Sequence, residues 1–373
     1  MNILYVVTWY TDYGAPIVST GIFHYEQALA LQKTCKIVLY YPFGKDIKKR
    51  VSFSEEYGVL TYRRRFRRNK ILRVLEWVLD IKKIIRNYNI NIIHAHVAGG
   101  AGKPAVIASK LFRIPLVVTE HNPIQLSNLD NLRTKIGIGY IYHNAKKIFC
   151  VSPYLKKALE SVFSNEKFEL LYNGVVSPFI YIDDKTNYRK EGVINCAICA
   201  SFYDREIKGF QYLLPAINQI KRQGYKIALH ICGGGQYFQY YKDFAKDLDV
   251  EQECIFYNQC EKKVVYNVMN QMDFVISASL FESAGVSIQE ALLLGLPVLV
   301  TKSGGANSLV NDNCAIVVEA GSSEALANGL IEMIHKYKFF NSDRIKEYAK
   351  NNFDMDKINE KYKSAYSEII RER

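Results

Sequence analysis

Residues 279–305 read SLFESAGVSIQEALLLGLPVLVTKSGG, and the order of residue types in this stretch decides the fold. With the apolar FVIS that precedes it, the stretch predicts a strand Phe274–Ser277, a loop Ala278–Gly285, a helix Val286–Leu294, a Gly-Leu-Pro stop and a second strand Val298–Thr301. Short apolar strands without polar alternation belong to parallel sheets covered on both faces. Glu282 falls before the helix, and Glu290 falls inside it, about one turn in. A helix N-terminus offers unpaired N–H groups and positive dipole character, which suit a diphosphate. A carboxylate one turn along can accept hydrogen bonds from a ribose diol, and one on the approaching loop can reach sugar hydroxyls. The same spacing has a plainer reading: Ser287-x-x-Glu290 as a capping box, with Ser287 as N-cap and Glu290 structural.

Outward from this unit, strands and helices alternate. Strands are expected at Ile3–Thr8, Cys35–Tyr40, Ile92–Ala95, Leu116–Thr119 and Lys147–Val151, with helices such as Phe23–Gln32 and Leu72–Asn87 between them. A second series has strands at Ile194–Ser201, Ile227–Cys232, Cys254–Tyr257, Phe274–Ser277 and Val298–Thr301. Two such series imply two doubly wound parallel sheets. The turn signal Asn173-Gly174 and the aperiodic segment after it mark the boundary. The expected domains are 1–178 and 179–354, with a C-terminal helix over about 355–373 packing back on the first.

The 373 residues are 49% hydrophobic and 23% charged, a globular composition with room for two cores. No run of 18 apolar residues suggests a membrane-spanning helix, and the N-terminus reads as a strand, not a signal peptide. Eight cysteines are scattered, mostly through strand-like runs, and read as reduced core thiols of a cytosolic protein. Cys196-x-x-Cys199 lacks the second ligand pair that zinc would need. His94 and His96 form an i, i+2 pair with no evident third ligand, and Asp354-x-Asp356 lies in a C-terminal helical pattern, so no metal site is expected. With no GxGxxG or P-loop, neither NAD nor ATPase chemistry is argued.

The net charge of +12 is uneven. The first 170 residues carry 26 Lys+Arg against 12 Asp+Glu, and the remainder carries 23 against 25. Arg63, Arg64, Arg65, Arg67, Arg68 and Lys70 precede a helix whose Ile71, Val74, Leu75, Val78, Ile81 and Ile85 recur at helical spacing. That stripe reads mostly as core. The arginines suit an anionic membrane surface, where each adds about 1 kcal/mol. Nucleic acid is not expected, since no recognition motif accompanies the charge.

The 279–305 stretch resembles the signature of a large family of retaining glycosyltransferases of the GT-B type, the family 4-like group 1 enzymes that include many bacterial polysaccharide and lipopolysaccharide transferases. The signature pairs two glutamates with a glycine between them, then Gly-x-Pro and Gly-Gly. Here these are Glu282, Gly285, Glu290, Gly295, Pro297, Gly304 and Gly305. Further matches keep the family's order along nearly the whole chain: Gly21 in STGIFHYEQ, NIIHAH at 91–96, VVTEH at 117–121, YNGV at 172–175, Lys208-Gly209 and CGGG at 232–235.

The resemblance implies an α/β GT-B fold with two Rossmann-like domains facing across a cleft, the N-terminal one for the acceptor and the C-terminal one for a nucleotide-sugar donor. It implies that Glu290 binds the ribose, that Glu282 meets the donor sugar, and that the amides of Gly285, Val286 and Ser287 cradle sugar and distal phosphate. Lys208, an ordinary surface residue by sequence alone, becomes the cation that neutralises the diphosphate without a metal or other cofactor. The family's arginine five residues before the lysine is Tyr203 here, and Arg205 is the substitute candidate, against a solvent role. His121 faces the reacting sugar by resemblance, although a histidine at a strand end is commonly structural. His96 has a cleft reading and a packing reading. Gly21 has the readings of a close approach to phosphate or acceptor and of a tight turn. The implied activity is retaining transfer of a hexose or N-acetylhexosamine from a UDP-sugar, or from GDP-mannose, to a glycan or lipid-linked glycan, by a cytoplasmic enzyme peripheral to the inner face of the plasma membrane. A GT-B epimerase and a non-catalytic nucleotide-sugar-binding or membrane scaffold are the rivals.

Overall fold

The computed structural model describes residues 1–10, 22–45, 47–56, 58–121, 129, 131–164, 166–183 and 186–372. The chain divides into two compact units, Met1–Gly174 with Met355–Arg373, and Val175–Asp354.

Unit 1 carries an eight-stranded sheet. Its strands are β1 (Asn2–Val7), β2 (Lys36–Gly44), β3 (Val51–Glu56), β4 (Val59–Arg65), β5 (Ile92–His96), β6 (Leu116–Glu120), β7 (Lys147–Cys150) and β8 (Phe168–Leu170), in the order β3-β4-β2-β1-β5-β6-β7-β8. All pairs are parallel except β3–β4, an antiparallel hairpin at the edge. The inner strands β1, β5 and β6 are buried nearly throughout, as unbroken apolar runs require. The last helix, Met355–Arg371, completes this core with Ile358, Tyr362, Tyr366 and Ile369. Its tyrosines are tied to the sheet: Tyr366 Oη lies 2.6 Å from His94 Nδ1, and Tyr362 Oη 3.2 Å from Thr119 Oγ1.

Unit 2 carries six parallel strands: β9 (Ile194–Cys199), β10 (Ile227–Cys232), β11 (Cys254–Tyr257), β12 (Phe274–Ser277), β13 (Val298–Thr301) and β14 (Ala315–Val318), in the order β11-β10-β9-β12-β13-β14. The chain runs outward to one side from β9 and to the other from β12, so the β9–β12 border is the switch point where ligands of open α/β sheets bind. In unit 1 the corresponding border is β1–β5.

Two sequence expectations change. The arginine run does not simply precede the helix Lys70–Tyr88, because Arg63, Arg64 and Arg65 end strand β4. Arg63 is buried and donates to Glu56, and Arg64 pairs with Asp80 and Glu76. Buried guanidinium groups need such partners, so two of the expected surface cations are internally neutralised. The apolar stripe is only partly core: Ile81 is buried and Val74, Val78 and Ile85 are half-buried, but Ile71 and Leu75 are exposed. Trp77, Ile81 and Ile84 face the core, while Ile71, Leu72, Leu75 and Leu79 lie exposed.

Candidate active site

At the unit 2 switch point, two loops are pinned together by backbone geometry. Gly209 follows β9 with φ +70°, and a Cβ there would stand 1.9 Å from the carbonyl oxygen of Ala278. Only glycine permits that approach, and it brings Lys208 beside the loop after β12. Leu280 N–H donates to the carbonyl of Ile207, Glu282 N–H to that of Ser303, and Gly305 N–H to that of Glu282. Glu282 is thereby fixed, and Lys208 Nζ donates to its Oε2 at 2.7 Å. Both side chains keep some solvent access.

The helix that follows begins at Val286, with Gly285 as N-cap at φ +67° and no side-chain cap. Ser287 therefore sits within the helix, and the capping-box reading fails. The half-exposed Val286 and Ser287 carry amides of the first turn, a positive helix end suited to phosphate. Glu290, one turn in, is buried. Its Oε1 accepts from Tyr266 Oη at 2.7 Å and lies 3.6 Å from Lys262 Nζ. Tyr266 and Lys262 are four apart on the helix Lys262–Asn270. Their spacing puts them on one face, but nothing in the sequence tells which carboxylate they meet. The sequence also gives no signal for Gln289, which is wholly buried with both amide atoms lacking a hydrogen-bond partner. Arg205 is exposed, its guanidinium within 3.4 Å of Glu206 and 5.7 Å from the Tyr240 ring centre.

In unit 1, His121 follows β6 and is buried, and its Nε2 lies 3.0 Å from His96 Nδ1. Burial pushes the His121 imidazole down to about 3, so it is neutral at physiological pH. His96 is neutral for the same reason, helped by the neighbouring imidazoles. His94 has a packing role, bonded to Tyr366 and Thr119. Beside His121, Glu120 accepts from Ala98 N–H and Tyr142 Oη, and desolvation raises its carboxyl to about 7. Gly21 lies outside the described residues. Asp354 bridges to Val175, and Asp356 pairs with Lys33, so the Asp354-x-Asp356 match serves the backbone and the surface.

Two family descriptions match this chain: glycosyl transferases group 1 over residues 193–352, and glycosyltransferase family 4 over residues 21–177. The chain belongs to the group 1, family 4-like glycosyltransferases. This glycosyltransferase is 23% identical to the N-acetyl-alpha-D-glucosaminyl L-malate synthase of Bacillus anthracis, over 78% of either chain. It is 22% identical to the alpha-monoglucosyldiacylglycerol synthase of Streptococcus pneumoniae, over 73% of this chain and 66% of that one. Its fold matches Anabaena HepE, solved in complex with UDP and glucose, with a TM-score of 0.77 at 20% identity, over 99% of this chain and 100% of that one. The fold type is GT-B. In the glycosyltransferase, Lys208, Glu282 and the first turn of helix Val286–Leu293 lie together at the unit 2 switch point, with the buried Glu290 one turn into that helix.

Proposed function

We propose that this glycosyltransferase moves a hexose or N-acetylhexosamine from a nucleoside-diphosphate sugar to a lipid-linked glycan, with retention of configuration and without a metal ion, in the building of cell-surface polysaccharide. The observation that carries the reading is the 2.7 Å contact between Lys208 and Glu282 beside an uncapped helix N-terminus. An ammonium fixed at that point can meet the diphosphate as it gains charge on bond breaking. The amides of Gly285, Val286 and Ser287 hold the sugar and distal phosphate, Glu290 holds the ribose, and Glu282 turns to the sugar once the phosphate takes over Lys208. Arg205 leaves Glu206 to supply a second cation. His121, kept neutral by burial, contacts the sugar or acceptor. With no second carboxylate assigned as nucleophile, attack comes from the front side, and the leaving phosphate receives the acceptor proton. A UDP-sugar is preferred over GDP-mannose as donor, in keeping with the UDP-bound HepE.

A lipid acceptor and an anionic membrane surface are supported by one face of unit 1. The helices Lys70–Tyr88, Gly102–Phe112 and Leu132–Asn144 lie side by side. They expose Ile71, Leu75, Leu79, Leu111, Leu132 and Ile136. Arg65, Arg68, Lys82, Lys83, Lys110 and Arg113 are exposed on or next to the same elements. An apolar stripe with a basic border is the composition of an interfacial face. No helix among the described residues is long and apolar enough to cross a membrane; the proposed location, carried by the basic-bordered apolar face, is peripheral attachment at the cytoplasmic leaflet. The test is incubation with labelled nucleotide sugars and a lipid-extracted acceptor pool, reading the anomeric configuration of the product by NMR. A retained anomer in the lipid fraction is expected. Epimerised donor without transfer, or an inverted product, would overturn the reading.

A further inference from the structure

A second cluster lies at the unit 1 switch point. His24 comes from the helix Ile22–Leu31 after β1, His96 from the end of β5, and His121 from just beyond β6. All three are buried. One nitrogen of each lies within 4.8 Å of one nitrogen of the other two. The His24 ring centre is 4.6 Å from that of His96 and 5.1 Å from that of His121. The contrast with His94, on the same strand, is informative. His94 bonds a tyrosine and a threonine through its two nitrogens, whereas His96 has its Nδ1 against another imidazole and its buried Nε2 without a hydrogen-bond partner. A buried ring nitrogen without a partner, such as Nε2 of His96, is costly in a core.

We propose that His24, His96 and His121 form a binding site for a divalent transition-metal ion of the zinc class, with three imidazole ligands and a fourth position left open. Zinc holds histidine nitrogen at about 2.0–2.1 Å in a tetrahedron, which sets ligand nitrogens roughly 3.3 Å apart. The His96–His121 separation of 3.0 Å is close to that value, and a nitrogen of His24 lies within 4.8 Å of both. Burial lowers all three imidazoles, with repulsion from neighbouring imidazoles adding to it at His24 and His96, and the neutral form is the one that ligates. An all-imidazole set suits zinc, copper, nickel or cobalt and not magnesium or calcium, which take oxygen ligands. The consequence rests on the role proposed for His121 above: an ion here ties up the imidazole proposed to contact the sugar or acceptor, so zinc inhibits transfer, and the reaction at the diphosphate remains metal-independent.

The test is a cobalt(II) titration of the EDTA-stripped full-length protein, with no donor or acceptor present. The expected result is one equivalent bound with visible bands of a tetrahedral nitrogen–oxygen site, displaced by one equivalent of zinc. His96→Gln and His24→Gln, each checked for native circular dichroism, should weaken cobalt binding at least about tenfold. His335→Gln, an exposed histidine of unit 2, should leave it unchanged. Absence of saturable binding, binding that survives both cluster variants, or an intense thiolate-to-cobalt band would overturn the proposal. Zinc should then inhibit transfer and EDTA restore it. If EDTA itself abolishes transfer, the metal-independent mechanism fails while the spectroscopic result on the histidines stands.

Discussion

Replacing Glu120 by Gln should stabilise the protein at alkaline pH and do so progressively less as the pH falls. Glu120 is buried, one carboxylate oxygen accepts from Ala98 N–H and Tyr142 Oη, and the other has no hydrogen-bond partner. Its carboxyl is raised from 4.5 to about 7, chiefly by desolvation. The folded state therefore holds this proton more tightly than the unfolded state, and stability falls as the pH rises from about 4.5 to 7. At 1.36 kcal/mol per pKa unit, the ionised group costs roughly 3 kcal/mol at pH 8 and under about 1 kcal/mol at pH 5. Glutamine keeps the accepting oxygen and cannot ionise. Its NH2 takes the place of the unpartnered oxygen, at a cost of about 1–3 kcal/mol that does not change with pH. The signature is thus the slope: the variant should gain about 2–3 kcal/mol on wild type between pH 5 and pH 8. Urea unfolding of both proteins across that range, followed by circular dichroism, measures it. A stability difference independent of pH would refute the assignment of a desolvated carboxyl.

Lys208→Ala should lose roughly 10²-fold or more in kcat, as removal of a contact to developing charge does, with donor KM moving far less; an equal loss in KM alone would make Lys208 a ground-state contact. Glu290→Ala should weaken binding of the nucleoside diphosphate by about 1.5–3 kcal/mol, and Tyr266→Phe, which removes only the hydrogen bond to Glu290, by about 1 kcal/mol. Calorimetry in which Tyr266→Phe binds like wild type would show that the tyrosine is packing alone. Arg65, Arg67 and Arg68 changed to Gln, or Leu75 and Leu79 changed to Ser, should release the protein from anionic vesicles while leaving donor hydrolysis intact. Sedimentation should also weaken steeply as salt rises past physiological strength, where the Debye length is about 8 Å; a wild type that ignores anionic vesicles at low salt would remove the membrane from the proposal.

The strand–loop–helix–strand order of 274–301 was legible because apolar runs, Gly-Leu-Pro and periodicity are local properties, and β12, β13 and the helix between them occur where those signals put them. Glu282, Gly285, Glu290 and Lys208 could be named from spacing and resemblance. That Lys208 touches Glu282 across 74 residues of chain could not, because it follows from Gly209 packing on Ala278. The edge hairpin β3–β4 was missed for a related reason. TYRRR looks like a solvated charge run until Glu56 and Asp80, distant or on another element, neutralise its arginines. The exposed stripe of helix Lys70–Tyr88 shares its periodicity with a core stripe, and periodicity does not say which of two apolar faces the sheet takes. The meeting of His24, His96 and His121 is decided by strand order alone: β1, β5 and β6 become neighbours only when the sheet is wound. Local chemistry is written residue by residue, while the partner of a buried charge or imidazole is chosen by the topology that brings the elements together.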